Sequence, residues 1–462
     1  MIRLFKHYVP HAALLLGLVD FLLLIVAAEL GWLIRARQIG FPPGTLVERL
    51  PQVLSFALPL QIALLAVGGY AAASFLSLRF AAARLMVAVS MGVILLSLIF
   101  FFFPGLSYWR SSLFFSMLIA IVLLVLERAL MGRMLGGDRF KQRVILMGAG
   151  DRAAAIMALA RQPGSNFVVA GAIAMNDAET AVPDAVPRSA IPNLQEFVIE
   201  REATEVVLAL QERRNALPYQ DLLRVRTTGV QVYELSSFLE RQTGRIDLAS
   251  VSHSWLIFSE GFASGRMWSA MFKRTFDITV SLILLVLAVP VILLTGIAIR
   301  LESRGPAFYR QRRIGLFNQP FDILKLRSMR QDAEIAGQAV WAEKDDPRIT
   351  RIGRFIRKVR IDELPQIWSV LMGEMSFVGP RPERPQFVEQ LEQQIPFYAE
   401  RHMVKPGITG WAQLNYPYGA SIEDARHKLE YDLYYAKNYS PFLDALILLQ
   451  TLRVILWPTG AR

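Results

Sequence analysis

Four apolar blocks fill most of the first 126 residues, Ala12 to Ile34, Leu54 to about Leu78, Leu85 to Phe103 and Ser111 to about Leu126. No other feature constrains the fold as strongly. A helix crossing a hydrocarbon layer of ~30 Å needs about 20 apolar residues, so the blocks predict a membrane domain of four transmembrane helices. Composition agrees, with 53% of the 462 residues hydrophobic and a mean hydropathy of +0.36. The start of the chain has no small-residue cleavage site after its first apolar run and reads as an uncleaved anchor. Arg3 and Lys6 before the first block, and Arg128, Arg133, Arg139, Lys141 and Arg143 after the fourth, place both ends in the cytoplasm. The loops are mixed, since Arg35, Arg37 and Arg49 fall in the outer first loop against Arg79 and Arg84 in the inner second. The chain has no cysteine, which excludes disulfides, Cys-ligated metals and thiol nucleophiles. Asp20 and Glu29 lie inside the first block but half a turn out of phase, so they form no single site.

From Arg143 the pattern changes. Val144 to Met147, Phe167 to Ala174, Glu205 to Leu210 and Val230 to Leu235 read as strands separated by amphipathic stretches, which predicts a Rossmann-like α/β domain with a parallel sheet. Its first turn, Gly148-Ala149-Gly150-Asp151-Arg152-Ala153, has the spacing of a dinucleotide loop. The nearest ribose-binding acid, Asp177, is 27 positions beyond Gly150, and Asp151 puts negative charge where a pyrophosphate would sit. The domain therefore reads as a folding or regulatory module in preference to a working NAD site. No Tyr stands four residues before any of the nine lysines, so the Tyr-x-x-x-Lys pair of a nucleotide-sugar epimerase or dehydratase is absent.

A fifth apolar block, Ile278 to Ile299, contains Pro290 and has basic residues on both flanks: Lys273 and Arg274 before it, and Arg300, Arg304, Arg310, Arg312 and Arg313 after it. One crossing would put one flank on the wrong side, whereas a helix broken at Pro290 that returns to its own face satisfies both. The expectation is a re-entrant helix over 278–299 whose basic flank suits anionic lipid head groups. The last apolar run, Phe442 to Trp457, is interrupted by Asp444, Gln450 and Arg453 and suits a helix lying in the interface.

Between these segments lies an arginine-rich stretch: Lys325-Leu326-Arg327-Ser328-Met329-Arg330, then Arg348, Arg351, Arg354, Arg357, Lys358 and Arg360, leading into Asp362-Glu363-Leu364-Pro365-Gln366. Guanidinium forks match phosphate oxygens, but Ile352, Phe355, Ile356 and Val359 also fit one face of a basic amphipathic helix. Asp362 favours phosphate chemistry. It precedes an apolar helix with Pro365 in the first turn and Ile367, Trp368 and Leu371 facing inward, where a carboxylate nucleophile gains from a lowered pKa and a cationic clamp. Downstream, Gly379-Pro380-Arg381-Pro382-Glu383 is a rigid turn bearing one more arginine, and the loop from Lys405 to Gln413, with Trp411, could cradle phosphate or stack a base.

Taken in order, the Lys325 to Met329, Asp362 to Gln366, Met375 to Pro382 and Lys405 to Gln413 motifs closely resemble the bacterial sugar transferase family, the monotopic phosphoglycosyl transferases, over about Lys273 to the C-terminus. The preceding helices and α/β domain resemble the long form that starts exopolysaccharide assembly. The segment from Phe238-Leu239-Glu240-Arg241 to Ser254-Trp255-Leu256-Ile257-Phe258 is similar to the subset that accompanies exosortase and PEP-CTERM systems. The resemblance implies a multi-pass protein of the bacterial inner membrane with its catalytic domain on the cytoplasmic face. The domains would be a four-helix membrane domain (1–140), a Rossmann-like domain (141–250), a linker (251–272) and a mainly α monotopic catalytic domain (273–462).

The implied partners are a UDP-sugar, undecaprenyl phosphate and membrane lipid, with no nucleic acid, and a homo-oligomer is compatible with them. Asp362 would attack the β-phosphorus and release UMP, Glu363 would be its partner in metal binding or proton handling, and Arg357 and Arg381 would clamp phosphate, with Lys325 and Arg327 beside them. Mg²⁺, held by Asp362 and Glu363 with phosphate oxygens, would be the cofactor. Lys405, Trp411 and Gln413 would form a nucleotide loop. The chain departs from the family at Val289, where Ser often precedes the proline. It departs again at Leu414-Asn415-Tyr416-Pro417-Tyr418-Gly419, where Asn-Gly-Arg is common, so the sugar is not assigned. Two other readings compete. A membrane-anchored dehydratase or epimerase lacks its Tyr-x-x-x-Lys, and an inactive assembly scaffold would have no need of an intact Asp362-Glu363 pair.

Overall fold

The computed structural model describes residues 2–4, 7–42, 44–70, 78–135, 141–162, 164–176, 181–210, 217–251, 259, 261–262, 267–330, 348–417, 419 and 421–456. Asp177 and the Ser254 to Phe258 segment lie outside the described residues. The chain divides into two compact units, one of Tyr8–Thr243 and one of Gly244–Arg462.

In the first unit, α1 (His11–Gln38), α2 (Leu46–Ala66), α3 (Leu78–Phe102) and α4 (Arg110–Leu135) each contain a stretch long and apolar enough to cross a membrane. A capping box between Thr45 and Glu48 starts α2. Along α1 and α4 the backbones come close at Gly31, where a Cβ would lie 2.2 Å from Ser116 Oγ, so only glycine fits there. Asp20 is fully buried and accepts from Arg128 Nη2 at 2.7 Å and from the Tyr70 hydroxyl at 2.8 Å. Arg128 also donates to Glu127 at 2.6 Å. Glu29 pairs separately with Arg49, so the two acids of α1 do occupy different sites. Arg49 and Arg128 are both buried inside helices, not placed in a loop or flank. Their charges are used in pairing, and the apolar reading that ended the fourth block at Leu126 stopped short because it could not see that pairing.

The α/β part contains β1 (Gln142–Met147), α5 (Asp151–Ala160), β2 (Phe167–Ala174), β3 (Val186–Pro187), α6 (Leu194–Glu200), β4 (Glu205–Leu208), α7 (Tyr219–Thr227), β5 (Gln231–Glu234) and α8 (Leu235–Thr243). Among the described residues its sheet is parallel, in the order β3-β2-β1-β4-β5. Val144 and Leu146 enter one core cluster and Ile145 and Met147 another, as expected of a central strand covered on both faces. The edge strand β3 ends in Pro187, which sheets tolerate only at such positions. Around the glycine loop, Ala149 O accepts from Val182 N at 3.1 Å and Arg152 donates to Leu210 O at 2.7 Å.

The second unit opens with α9 (Met267–Glu302), which is helical throughout, Pro290 included. The interruption expected at Pro290 is not seen, since a proline removes one backbone donor without obliging a helix to end. There follow the hairpin β6 (Phe308–Ile314) and β7 (Pro320–Leu326), α10 (Arg351–Lys358), α11 (Gln366–Met372), β8 (Ser376–Val378), α12 (Pro385–Gln394), β9 (Gly407–Thr409), α13 (Trp411–Asn415), α14 (Ile422–Asn438) and α15 (Pro441–Leu456). Strands β8 and β9 pair in parallel. The core gathers Val370, Met375, Leu433, Tyr434, Tyr435, Leu443 and Ile447. Leu443 and Ile447 are fully buried, so one face of α15 packs into the core. Ile246 and Leu248 join the same core, and the division between units falls at Gly244 where the sequence reading drew it at 250.

Both ends of α9 are bonded to this unit. At its start Arg274 donates to the carbonyls of Val370 and Leu371, at 2.9 and 2.7 Å. At its end Glu302 accepts from the amides of Arg351 and Ile352, at 2.8 and 3.2 Å, capping α10 from outside. Its middle packs Ala288 and Ile292 on Leu326, Ile356 and Ile367, while Val286, Leu287, Leu293 and Leu294 stay exposed.

Candidate active site

Asp362 and Glu363 sit on a short 3₁₀ turn, Ile361–Glu363, reached from α10 through Arg360, whose φ of 61° bends the chain sharply. The N-cap of α11 is Pro365 and no side chain caps it, so Asp362 is not a mere helix cap. Ile367 is buried as expected, but Trp368 points outward at 53% exposure, as do Phe355 of α10 and Val359 just after it. The helical period was read correctly on both helices, yet only part of each apolar stripe has a partner inside the unit.

Glu363 is held by cations. Its Oε1 accepts from Lys325 Nζ at 3.1 Å and from Arg381 Nη2 at 2.9 Å, and Arg360 lies 3.8 Å from Oε2. Burial alone would raise its pKa, but Arg381, Lys325 and Arg360 outweigh burial and hold the carboxyl well below the usual range. Asp362 differs. Burial and the neighbouring Glu363 push its carboxyl up, and Lys325, Arg357 and Arg360 only partly compensate. Its Oδ1 is buried with no hydrogen-bond partner among the described residues. The lowered pKa expected for Asp362 is therefore reversed, because the helix-dipole argument omitted the cost of burying a second carboxylate beside the first.

Three further groups place Arg381. Its backbone carbonyl accepts from Arg401 Nη2 at 3.0 Å, and Arg401 is itself locked to Asp432 at 2.7 Å. Gly379 and Gly407 let β8 and β9 approach so closely that a Cβ on Gly379 would lie 2.2 Å from Lys405 O. Arg313 donates to Pro382 O at 2.9 Å and extends the cationic surface, its guanidinium pushed down to about 10 by burial despite Glu383, with Arg381 and Arg384 adding to the fall. Arg313, Arg401 and Asp432 were not among the expected site residues, since the last two are 31 positions apart and in no shared motif.

The structure thus brings Asp362, Glu363, Lys325, Arg357 and Arg381 together. It does not bring Arg327, which is buried and donates to Ser303 O, Ser303 Oγ and Arg304 O at the end of α9. Nor is Trp411 free to stack a base: it is 8% exposed, stacks on Tyr434 and donates to Gly244 O at 2.8 Å. Lys405 faces Arg274, Asp277 and Lys273, burial and Arg274 pushing its ammonium down, and Gln413 donates to Ile408 O at 3.3 Å. Among the described residues no three His, Asp or Glu side chains gather as a metal cage. The buried Oδ1 of Asp362, unbonded among the described residues and beside Glu363, is the kind of donor a cation would take if its other ligands came from phosphate and water.

Residues 268–458 match the bacterial sugar transferase family, and residues 65–229 match a CoA-binding domain family. The chain is 44% identical over 241 residues to a UDP-N-acetylgalactosamine-undecaprenyl-phosphate N-acetylgalactosaminephosphotransferase of Aeromonas hydrophila, covering 52% of this chain and 56% of that protein. It is 43% identical over 191 residues to an undecaprenyl-phosphate glucose phosphotransferase of Komagataeibacter xylinus, covering 40% of this chain and 36% of that one. The matched segments thus span about half or less of these two relatives. A UDP-glucose:undecaprenyl-phosphate glucose-1-phosphate transferase of Caulobacter vibrioides is 42% identical over 193 residues, 41% of this chain and 71% of that protein. With four ordered motifs, three of which contribute residues around Asp362, and a relative 42% identical and covered over 71% of its length, the chain belongs to the bacterial sugar transferase family.

Proposed function

We propose that the protein transfers a sugar phosphate from a UDP-sugar to undecaprenyl phosphate through a covalent aspartyl intermediate, releasing UMP and initiating exopolysaccharide synthesis. The observation that carries the reading is the contrast within one carboxylate pair, with Glu363 held by Lys325 and Arg381 and Asp362 keeping an oxygen that has no hydrogen-bond partner among the described residues. In the first step an Asp362 oxygen bonds to the β-phosphorus while the bond to the bridging oxygen breaks, and UMP leaves with that electron pair. In the second, the lipid phosphate oxygen bonds to the same phosphorus and the aspartyl–phosphorus bond breaks, regenerating the carboxylate. Lys325, Arg381, Arg313, Arg357 and Arg360 supply positive charge around the pair, where phosphoryl oxygens would gain negative charge. Mg²⁺ would be held by the Asp362 carboxylate with Glu363 beside it, and when bound would neutralise diphosphate charge. Glu363 itself anchors Lys325 and Arg381 at the site.

The membrane reading extends this. The four N-terminal helices span the inner membrane, and the catalytic unit lies on its cytoplasmic face. Because the two ends of α9 are bonded to one polar unit, they belong on one side of the bilayer, which speaks against a crossing, and a re-entrant seat for 278–299 then needs the continuous helix to bend at Pro290. A dehydratase or epimerase reading gains no support, since Tyr-x-x-x-Lys is absent. The test is UMP release from a panel of UDP-sugars by the full chain in nanodiscs, with and without Mg²⁺ and undecaprenyl phosphate. Release that needs both for turnover is expected, and no release from any UDP-sugar by folded protein would overturn the proposal.

A further inference from the structure

We infer that Lys273 and Asp277 are positioning residues for this transfer, fastening the strand that leads to Arg381 onto the root of α9 so that the seating of that helix sets whether Arg381 reaches Glu363. The inference rests on the transferase reading above. The two side chains are one helical turn apart and share a face of α9. Lys273 Nζ donates to Val378 O at 3.0 Å, to the Tyr435 hydroxyl at 3.1 Å and to Asp444 Oδ2 at 2.7 Å. Asp277 Oδ1 accepts from Ser376 Oγ at 3.1 Å and from Phe377 N at 3.2 Å. All three residues of β8 are therefore gripped from one helix, and Ser376 and Asp277 are 0% and 2% exposed.

The path from β8 to the site has no slack. Gly379 N donates to Thr409 O at 2.9 Å, Gly407 N donates to Pro380 O at 2.9 Å, and the next residue is Arg381, bonded to Glu363 at 2.9 Å. Apolar side chains would hold a strand to a helix at least as well, because a buried ion pair recovers little more than its own desolvation. Directional bonds instead fix the strand along the helix axis. A misplacement of about 1 Å at a reacting centre can cost ~10²-fold in rate. Lys273 had counted in the sequence as a lipid-facing flank charge, but here it is bonded within the protein.

The test uses the full chain in nanodiscs, with steady-state UMP release and thermal-unfolding midpoints measured for each variant. Lys273→Met is expected to lower kcat by roughly 10- to 100-fold with KM for the sugar nucleotide nearly unchanged. Asp277→Asn, which keeps the acceptor oxygen, should retain most of kcat, and Asp277→Ala should fall as Lys273→Met does. Lys273→Met combined with Arg381→Gln should be no slower than Arg381→Gln alone, since both break one link. Multiplying effects in that double variant, or a wild-type kcat in either Lys273→Met or Asp277→Ala, would overturn the inference. If Lys273→Met does not fold, the Asp277→Asn and Asp277→Ala pair decides it. Absence of UMP release from the wild type would instead remove the transferase reading itself.

Discussion

At Asp362, burial and the charge of Glu363 raise the carboxyl, so the reactive ionised form appears only as pH climbs past the ordinary Asp range of about 3.9. The expected kcat/KM profile has an acid limb above that value, and Glu363→Gln should move the limb to lower pH by removing a neighbouring charge. A limb that does not move would exclude coupling between the two. The same shift has a stability sign. An acid whose folded pKa is raised loses stability as pH rises from its unfolded value through the folded one, so the wild type carries that cost at neutral pH. Asp362→Asn should therefore abolish turnover, by at least about 10³-fold, while raising the thermal-unfolding midpoint. A lowered midpoint would show that Asp362 serves the fold. Glu363 has the opposite sign, its stabilisation being present above the unfolded pKa and lost as pH falls through its depressed folded value.

Among elements, α1 and α4 depend on one fully buried acid. Asp20→Ala leaves Arg128 facing Glu127 alone and should destabilise the bundle by about 3–5 kcal/mol, whereas replacing Asp20 and Arg128 together by apolar residues should cost much less. Equal losses in the two variants, read from thermal unfolding in detergent, would count against the pair. For α9, cysteines introduced singly at Ala270 and Arg304 give clean probes, since the chain has none of its own. An impermeant maleimide should label both from one face of sealed vesicles, and labelling from opposite faces would establish a crossing. What could be read in advance follows the range of the interactions. Phe167–Ala174 was legible to the residue because period and punctuation are local. Lys325 and Arg327 occupy one motif, yet only the first reaches Glu363, and nothing in a linear pattern says that the second is bonded to the end of α9. Trp368 and Phe355 misled for a related reason, since a helical stripe records apolar faces without saying what covers them.

Across the whole molecule, the second unit has its own core and carries every residue gathered around Asp362. Residues 244–462 expressed alone should keep membrane association and UMP release within about tenfold of the full chain, a loss of the order that a single well-placed contact provides, ~1.4 kcal/mol. Complete loss of folded protein would show that the first unit is needed to build the second.

Synthesis order adds one consequence. Lys273 finds its partners Tyr435 and Asp444 only 162 and 171 residues later. At ~5–20 residues per second a ribosome takes on the order of ten to thirty seconds to deliver them. During that interval Lys273 and Asp277, one turn apart on the helix, have only each other and water as partners. The grip on the root of α9 is therefore a late event, completed only when α14 and α15 have been delivered.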